Sequence, residues 1–197
     1  MRKYILFFIL LCSITASAQS LKKYFITMPD SVIPLLTKTN REDCIDFLDS
    51  KMKACVKNRF DKTSELKSIT DDYLYLQTTP SSVVEMKVLQ VNDSTNVIGV
   101  IKTYKAKASD SDLSFYSTDW KKLDREKFIT MPVSADFAVR KDSSYNALPV
   151  QEIEDIMNIP LIEASFSAKD YTLTMRYTAP LILNAEQYKS IDMKNGR

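Results

Sequence analysis

Residues 83–106 read VVEMKVLQVNDSTNVIGVIKTYKA. Two runs rich in Val, Ile, Met and Tyr flank a polar link at residues 92–96. That pattern predicts an antiparallel β-hairpin with a five-residue loop. Val84, Met86 and Val88 fall on one face of the first strand, and Ile98, Val100 and Tyr104 on one face of the second. Residues 97–101 are apolar in both phases, so the second strand is expected to lie centrally, covered on both sides. Gly99 sits inside it, where glycine marks a bulge or a close approach. The plainer expectation there is a packing gap filled by a neighbour's ring.

Working outward, residues 72–78 (DYLYLQT) alternate and predict a strand ended by Pro80. Residues 109–112 read as a turn. Leu113, Phe115 and Ser117 then alternate with Ser114 and Tyr116 in a further strand. Four strands with no helix between them predict antiparallel pairing and an α+β class, against a wound parallel sheet. The expected fold is an antiparallel β-meander sheet of roughly five to seven strands with a long amphipathic helix packed on one face. That helix is expected over residues 40–56, where Cys44, Ile45, Leu48, Met52, Cys55 and Val56 form one apolar stripe. Thr39 and Glu42 read as its capping box. Arg41, Asp43, Asp46, Asp49, Lys51 and Lys53 read as its solvated face. Along an intact helix Cys44 and Cys55 would lie about 16 Å apart, beyond the roughly 7 Å a disulfide tolerates. Both are therefore expected to be free, buried thiols.

The remaining segments give shorter signals. Residues 21–28 read as a first strand and 30–36 as a brief helix. Residues 58–70 read as loop with a helical turn at 64–68. Strands are expected at 128–132 and 137–140, and a helix at 149–158. Residues 161–167 and 171–178 predict a second hairpin, with Tyr171, Leu173, Met175 and Tyr177 facing one way. Asn184 with Gln187 caps a last helix to about residue 193. The pentapeptide FITMP occurs at residues 25–29 and again at 128–132; one repeat is a weak sign of duplication.

Residues 1–18 predict a secretory signal peptide: Arg2 and Lys3 open it, an apolar run at 4–14 follows, and Ala16-Ser17-Ala18 offers the cleavage site. The apolar run is too short to span a bilayer as a helix. Lipid attachment at Cys12 is disfavoured by Leu11 before it. The expected product starts at Gln19, is exported to the periplasm or cell envelope or secreted, and has no transmembrane segment. Of 27 basic residues cleavage removes two and no acid, leaving 25 against 25 acidic ones. No basic excess supports nucleic-acid binding. Residues 19–197 suit a single α+β domain, with a two-half organisation at about 19–120 and 121–197 as the alternative.

The chain has no histidine and two glycines. Ser–His or Cys–His catalysis, imidazole metal ligation and phosphate-cradling glycine loops are thereby excluded. No catalytic, cofactor-binding or metal residues are assigned. Carboxylates remain: Asp71, Asp72, Asp110, Asp112, Asp119 and Asp124 could form a hydrolase pair or hold calcium, although short Asp-rich loops are ordinarily turns. Tyr73, Tyr75, Tyr104, Tyr116, Tyr171 and Tyr177 lie on strands, where aromatics serve cross-strand packing or, if exposed, a binding face. The leading expectation is a non-catalytic binding or accessory module for an envelope protein or glycan. The alternative is a hydrolase of envelope glycans or peptides acting through those paired aspartates.

Certain residues form a set: Pro34-Leu35-Leu36, Asn40-Arg41-Glu42-Asp43, Asp46-Phe47, Thr70-Asp71-Asp72-Tyr73-Leu74, Asn92-Asp93-Ser94-Thr95, Phe115-Tyr116 and Asp119-Trp120. With these the chain resembles a domain-of-unknown-function family of exported proteins from Bacteroidales. The resemblance spans most of residues 19–197. It implies an envelope or secreted location, and it carries no activity or site residue onto these positions.

Overall fold

The computed structural model describes residues 21–92, 95–141 and 148–194. The expected signal peptide and the tip of the 92–96 loop lie outside them. The decisive hairpin is present as β4 (Ser82–Asn92) and β5 (Thr95–Tyr104). Asn92 pairs with Thr95, so the link is two residues long rather than five. Around this pair runs a seven-stranded antiparallel meander in sequence order: β1 (Ala54–Lys57), β2 (Thr63–Ile69), β3 (Tyr73–Thr79), β4, β5, β6 (Asp110–Ser117) and β7 (Lys122–Leu123).

Both faces of the sheet are covered. On the first, Val84, Met86, Ile98 and Val100 join α1 (Leu21–Thr27), the turns after it, and Cys44 and Ile45 of α2 (Lys38–Asp49) in one core. On the second, Val97, Ile101, Leu113 and Phe115 pack beneath β9 (Ile162–Phe166) and β10 (Leu173–Tyr177), the expected second hairpin. Gly99 of β5 lies against Phe166 of β9. A Cβ built on it would stand 2.6 Å from Phe166 Cζ, so the gap is filled by a neighbour's ring as expected.

Several expectations are corrected. Residues 21–28 form helix α1 rather than a strand, and residues 30–36 form turns. The long helix over 40–56 is not found. Helix α2 has 12 residues, and its capping box is Thr37 with Asn40, not Thr39 with Glu42. It ends because Lys51 turns left-handed at φ 57°, with Met52 N–H donating to Phe47 O and Lys51 N–H to Leu48 O. That Schellman closure reverses the chain into β1. Cys55 accordingly lies on a strand and is only half-buried, while Cys44 is buried on α2; both are free. Arg41, expected in solvent, is 1% exposed. It donates to Leu36 O and Asp30 Oδ1 at 2.8 and 2.9 Å, and also to Met28 O. A guanidinium supplies five donors, enough to bind the turns 28–36 to α2.

Residues 63–69 are strand β2, not a helical turn, and the strand expected after Ser109–Asp112 already begins at Asp110. Residues 128–132 are irregular. The two FITMP copies differ, the first beginning in α1 and the second following a 3-10 turn at Arg125–Lys127. The C-terminal region adds α3 (Ser134–Phe137), β8 (Ala138–Arg140), α4 (Val150–Met157), α5 (Ala185–Lys189) and β11 (Ile191–Met193), with β8 and β11 paired antiparallel. Asn184 and Gln187 do cap α5, which stops at Lys189.

Candidate functional site

Two concave features flank β4, on opposite faces of the sheet. The larger is an apolar groove of about 630 Å³ at the end of the first face. Asn58 builds one wall. Buried between β1 and β2, its amide nitrogen donates to Ser64 Oγ and Thr78 O at 3.0 and 3.1 Å. Its carbonyl accepts from Phe60 and Lys62 N–H at 3.0 and 3.2 Å. The turn so fixed presents Phe60, 72% exposed. Arg59 N–H donates to Leu35 O at 3.0 Å, which brings Val32, Ile33, Pro34 and Leu35 against it. The opposite wall is Val83 and Val84 of β4 with Lys102 and the exposed Tyr104 of β5. Pockets of this size and lining suit small organic ligands.

The smaller feature, about 300 Å³, lies between β4 and the β9–β10 hairpin and is lined by Tyr75, Glu85, Thr103, Lys105, Glu163 and Arg176 among others. Glu85 is 5% exposed at its base. One carboxylate oxygen accepts from Tyr73 Oη at 3.1 Å and from Phe166 N–H at 3.0 Å. Burial pushes the Glu85 carboxyl above the usual carboxylate range, and the charge of Glu163 adds to this. Burial likewise raises the Tyr73 phenol, with Glu85 beside it. Two residues on, Lys87 is 1% exposed, with its ammonium 5.8 and 5.5 Å from the Tyr73 and Tyr171 ring centroids. It forms an ion pair with Asp72 at 2.8 Å, at an angle outside hydrogen-bond geometry. A perturbed carboxyl beside a cleft is a reason to consider chemistry. Here both its hydrogen bonds come from the protein, one of them from the backbone of β9, so they serve to fasten hairpin to sheet.

The six aspartates go to separate tasks. Asp72 pairs with Lys87. Asp110 accepts Ile162 N–H at 3.2 Å, and Asp124 caps the 3-10 turn through Glu126 N–H. Asp71 accepts Leu21 N–H through its carbonyl, and Asp119 is exposed. Asp112 and Asp124 alone share a groove, shallow and also lined by Lys122, Arg125 and Glu126. Among the described residues no group of three or more Asp, Glu, Cys or His is placed to hold a metal. No helix among them is long and apolar enough to cross a membrane. Of the six tyrosines, Tyr73, Tyr116 and Tyr177 are buried, while Tyr104 and Tyr171 are exposed.

A family model described as "Protein of unknown function (DUF3256)" matches residues 13–194. The chain belongs to that family. The match takes in every residue of the groove and of the Glu85 network. Among solved structures, a domain of an uncharacterized protein from Porphyromonas gingivalis W83 is similar, at 26% identity and a TM-score of 0.72, with 85% of each chain covered. The resemblance read from the sequence, to an uncharacterised Bacteroidales family, agrees with both. No curated protein matches the chain.

Proposed function

We propose that the protein is exported, with cleavage between Ala18 and Gln19, and works in the periplasm or cell envelope as a non-catalytic binding module through the groove between the 32–35 turns, the Phe60 turn and the ends of β4 and β5. The observation that carries this reading is the groove itself: apolar walls on a rigid sheet, with Phe60 and Tyr104 held 72% and 60% exposed at its rim. Keeping two large rings in water has a cost that a ligand would remove. Export is supported by the sequence of residues 1–18.

Two measurements test the reading. N-terminal sequencing of protein recovered from its own cells should begin at Gln19, and a chain retaining Met1 would refute export. A neutral, environment-sensitive apolar dye should brighten on the purified protein and lose that response in Phe60→Ser and Tyr104→Ser, both changes at exposed positions, with the melting temperature measured to check that each variant folds. A dye response that both variants retain would put binding elsewhere.

A further inference from the structure

We propose that the groove takes an aliphatic chain ending in a single carboxylate, with the carboxylate seated on Lys102; this rests on the binding reading above. The charges decide it. Among the described residues Arg59 and Lys102 are the only charged ones lining the groove, and both are cationic. Arg59 is occupied by Asp30. Lys102 is half-buried on β5, between Val84 of β4 and Asp112 of β6. Although Asp112 is its cross-strand neighbour, no ion pair or hydrogen bond engages the Lys102 ammonium among the described residues. The stem of Lys102 lies along the apolar wall while its ammonium is not among the buried nitrogens, so the charge stands at the groove's edge, open to an anion.

The walls decide the rest of the ligand. Among the described residues the only hydroxyls lining the groove are those of Thr78, Ser82 and Tyr104. Thr78 and Ser82 are bonded to each other at 2.7 Å, and Ser82 is bonded again to Thr79 at 2.6 Å. Thr78 O is already taken by Asn58 and Ser64. A glycan or a peptide would bury hydroxyls or amides against this wall, where only the Tyr104 phenol at the rim is left to meet them, and leave most of them short of partners. An alkyl chain brings no such groups.

The test is isothermal titration with dodecanoate, below its micelle concentration, and with dodecanol as the neutral chain of equal length. The protein carries the N-terminus found by sequencing. Wild type should bind dodecanoate severalfold tighter than dodecanol, since only the carboxylate pairs with Lys102 and the pair stays partly in water. Added salt should weaken dodecanoate alone. Lys102→Met should abolish the preference and keep dodecanol binding, while Lys102→Arg should retain the preference. Equal binding of the two chains, or a preference that survives in Lys102→Met, overturns the proposal and leaves the groove reading intact. Binding of neither overturns both. An apolar peptide with a free C-terminus that displaces dodecanoate at lower concentration overturns the choice of an aliphatic chain.

Discussion

Replacing Gly99 by Ala should destabilise the protein, although alanine is the better strand residue. The new Cβ would stand 2.6 Å from Phe166 Cζ, 3.2 Å from Cε2 and 3.5 Å from Leu89 Cδ1. Carbon atoms rest at about 3.5–4.0 Å, so the ring must withdraw by roughly 0.9 Å. It has little room to do so. Phe166 is 7% exposed among Tyr73, Val97, Ile101, Leu113 and Phe115, and its own N–H is held by Glu85 at 3.0 Å. Forcing one carbon into such a core costs about 1–3 kcal/mol. Relief of glycine's backbone entropy returns about 0.5–1 kcal/mol. With the ring this tightly held the clash wins, leaving a net loss of up to about 2.5 kcal/mol, to be read as a lower urea midpoint at unchanged slope. Phe166→Leu removes the obstructing atoms, so in that background Gly99→Ala should be neutral or stabilising. The double-mutant cycle isolates the contact. A Gly99→Ala change that costs nothing in wild type, or the same in both backgrounds, refutes the reasoning.

Glu85 predicts a pH dependence of stability. Its carboxyl is raised in the folded chain, chiefly by burial; the folded state therefore holds the proton more tightly than the unfolded one. Stability from this group is present at low pH and falls as pH rises from the ordinary value, about 4.3, through the raised one. Glu85→Gln, able to accept the same two hydrogen bonds, should flatten that part of a urea-midpoint profile; an unchanged slope would show that Glu85 does not set it. The cysteines should differ in the folded protein: burial pushes the Cys44 thiol up to about 12, so alkylation near pH 8 should label Cys55 first. In a chain beginning at Gln19, which lacks Cys12, two thiols should react after unfolding without reductant, and finding none would mean a disulfide.

The meander was legible because each of its strands carries its own period. Residues 83–106 alternate on one face and run apolar on both where β5 is covered twice, and that is where Val97 to Ile101 are buried. The 40–56 helix misled for a related reason. Cys44, Ile45 and Leu48 are helical, but Cys55 and Val56 continue the same spacing by accident, across a reversal made by Lys51 at φ 57°. In a chain with two glycines the usual C-terminal signal is missing, so the break has no mark in the sequence. Strand β2, TSELKSI, buries only Ser64 and Leu66. A strand near a sheet edge with so few apolar residues cannot be told from a polar helical turn by periodicity alone.

The site was less legible because it is made by elements that know nothing of each other locally. Glu85 and Lys87 alternate with Val84, Met86 and Val88, and a charged phase on a strand reads as its solvent face. It is buried because the β9–β10 hairpin, some eighty residues on, lies over it and places Phe166 N–H on Glu85. The groove joins residues 32–35, 59–60, 78, 82–84, 102 and 104, and no spacing encodes their meeting. One clue was available: an asparagine within a short polar link is a turn organiser, and Asn58 does that work in presenting Phe60. Lys102 offered no clue, since a lysine on a strand is ordinary. It becomes distinctive only where the 32–35 turns close the sheet's end. They set an apolar wall beside an ammonium whose strand partners are a valine and an aspartate it does not bond. The chemistry of this site therefore lies in what surrounds common residues rather than in rare ones. That is why a search for histidines, glycine loops or paired aspartates passes it by.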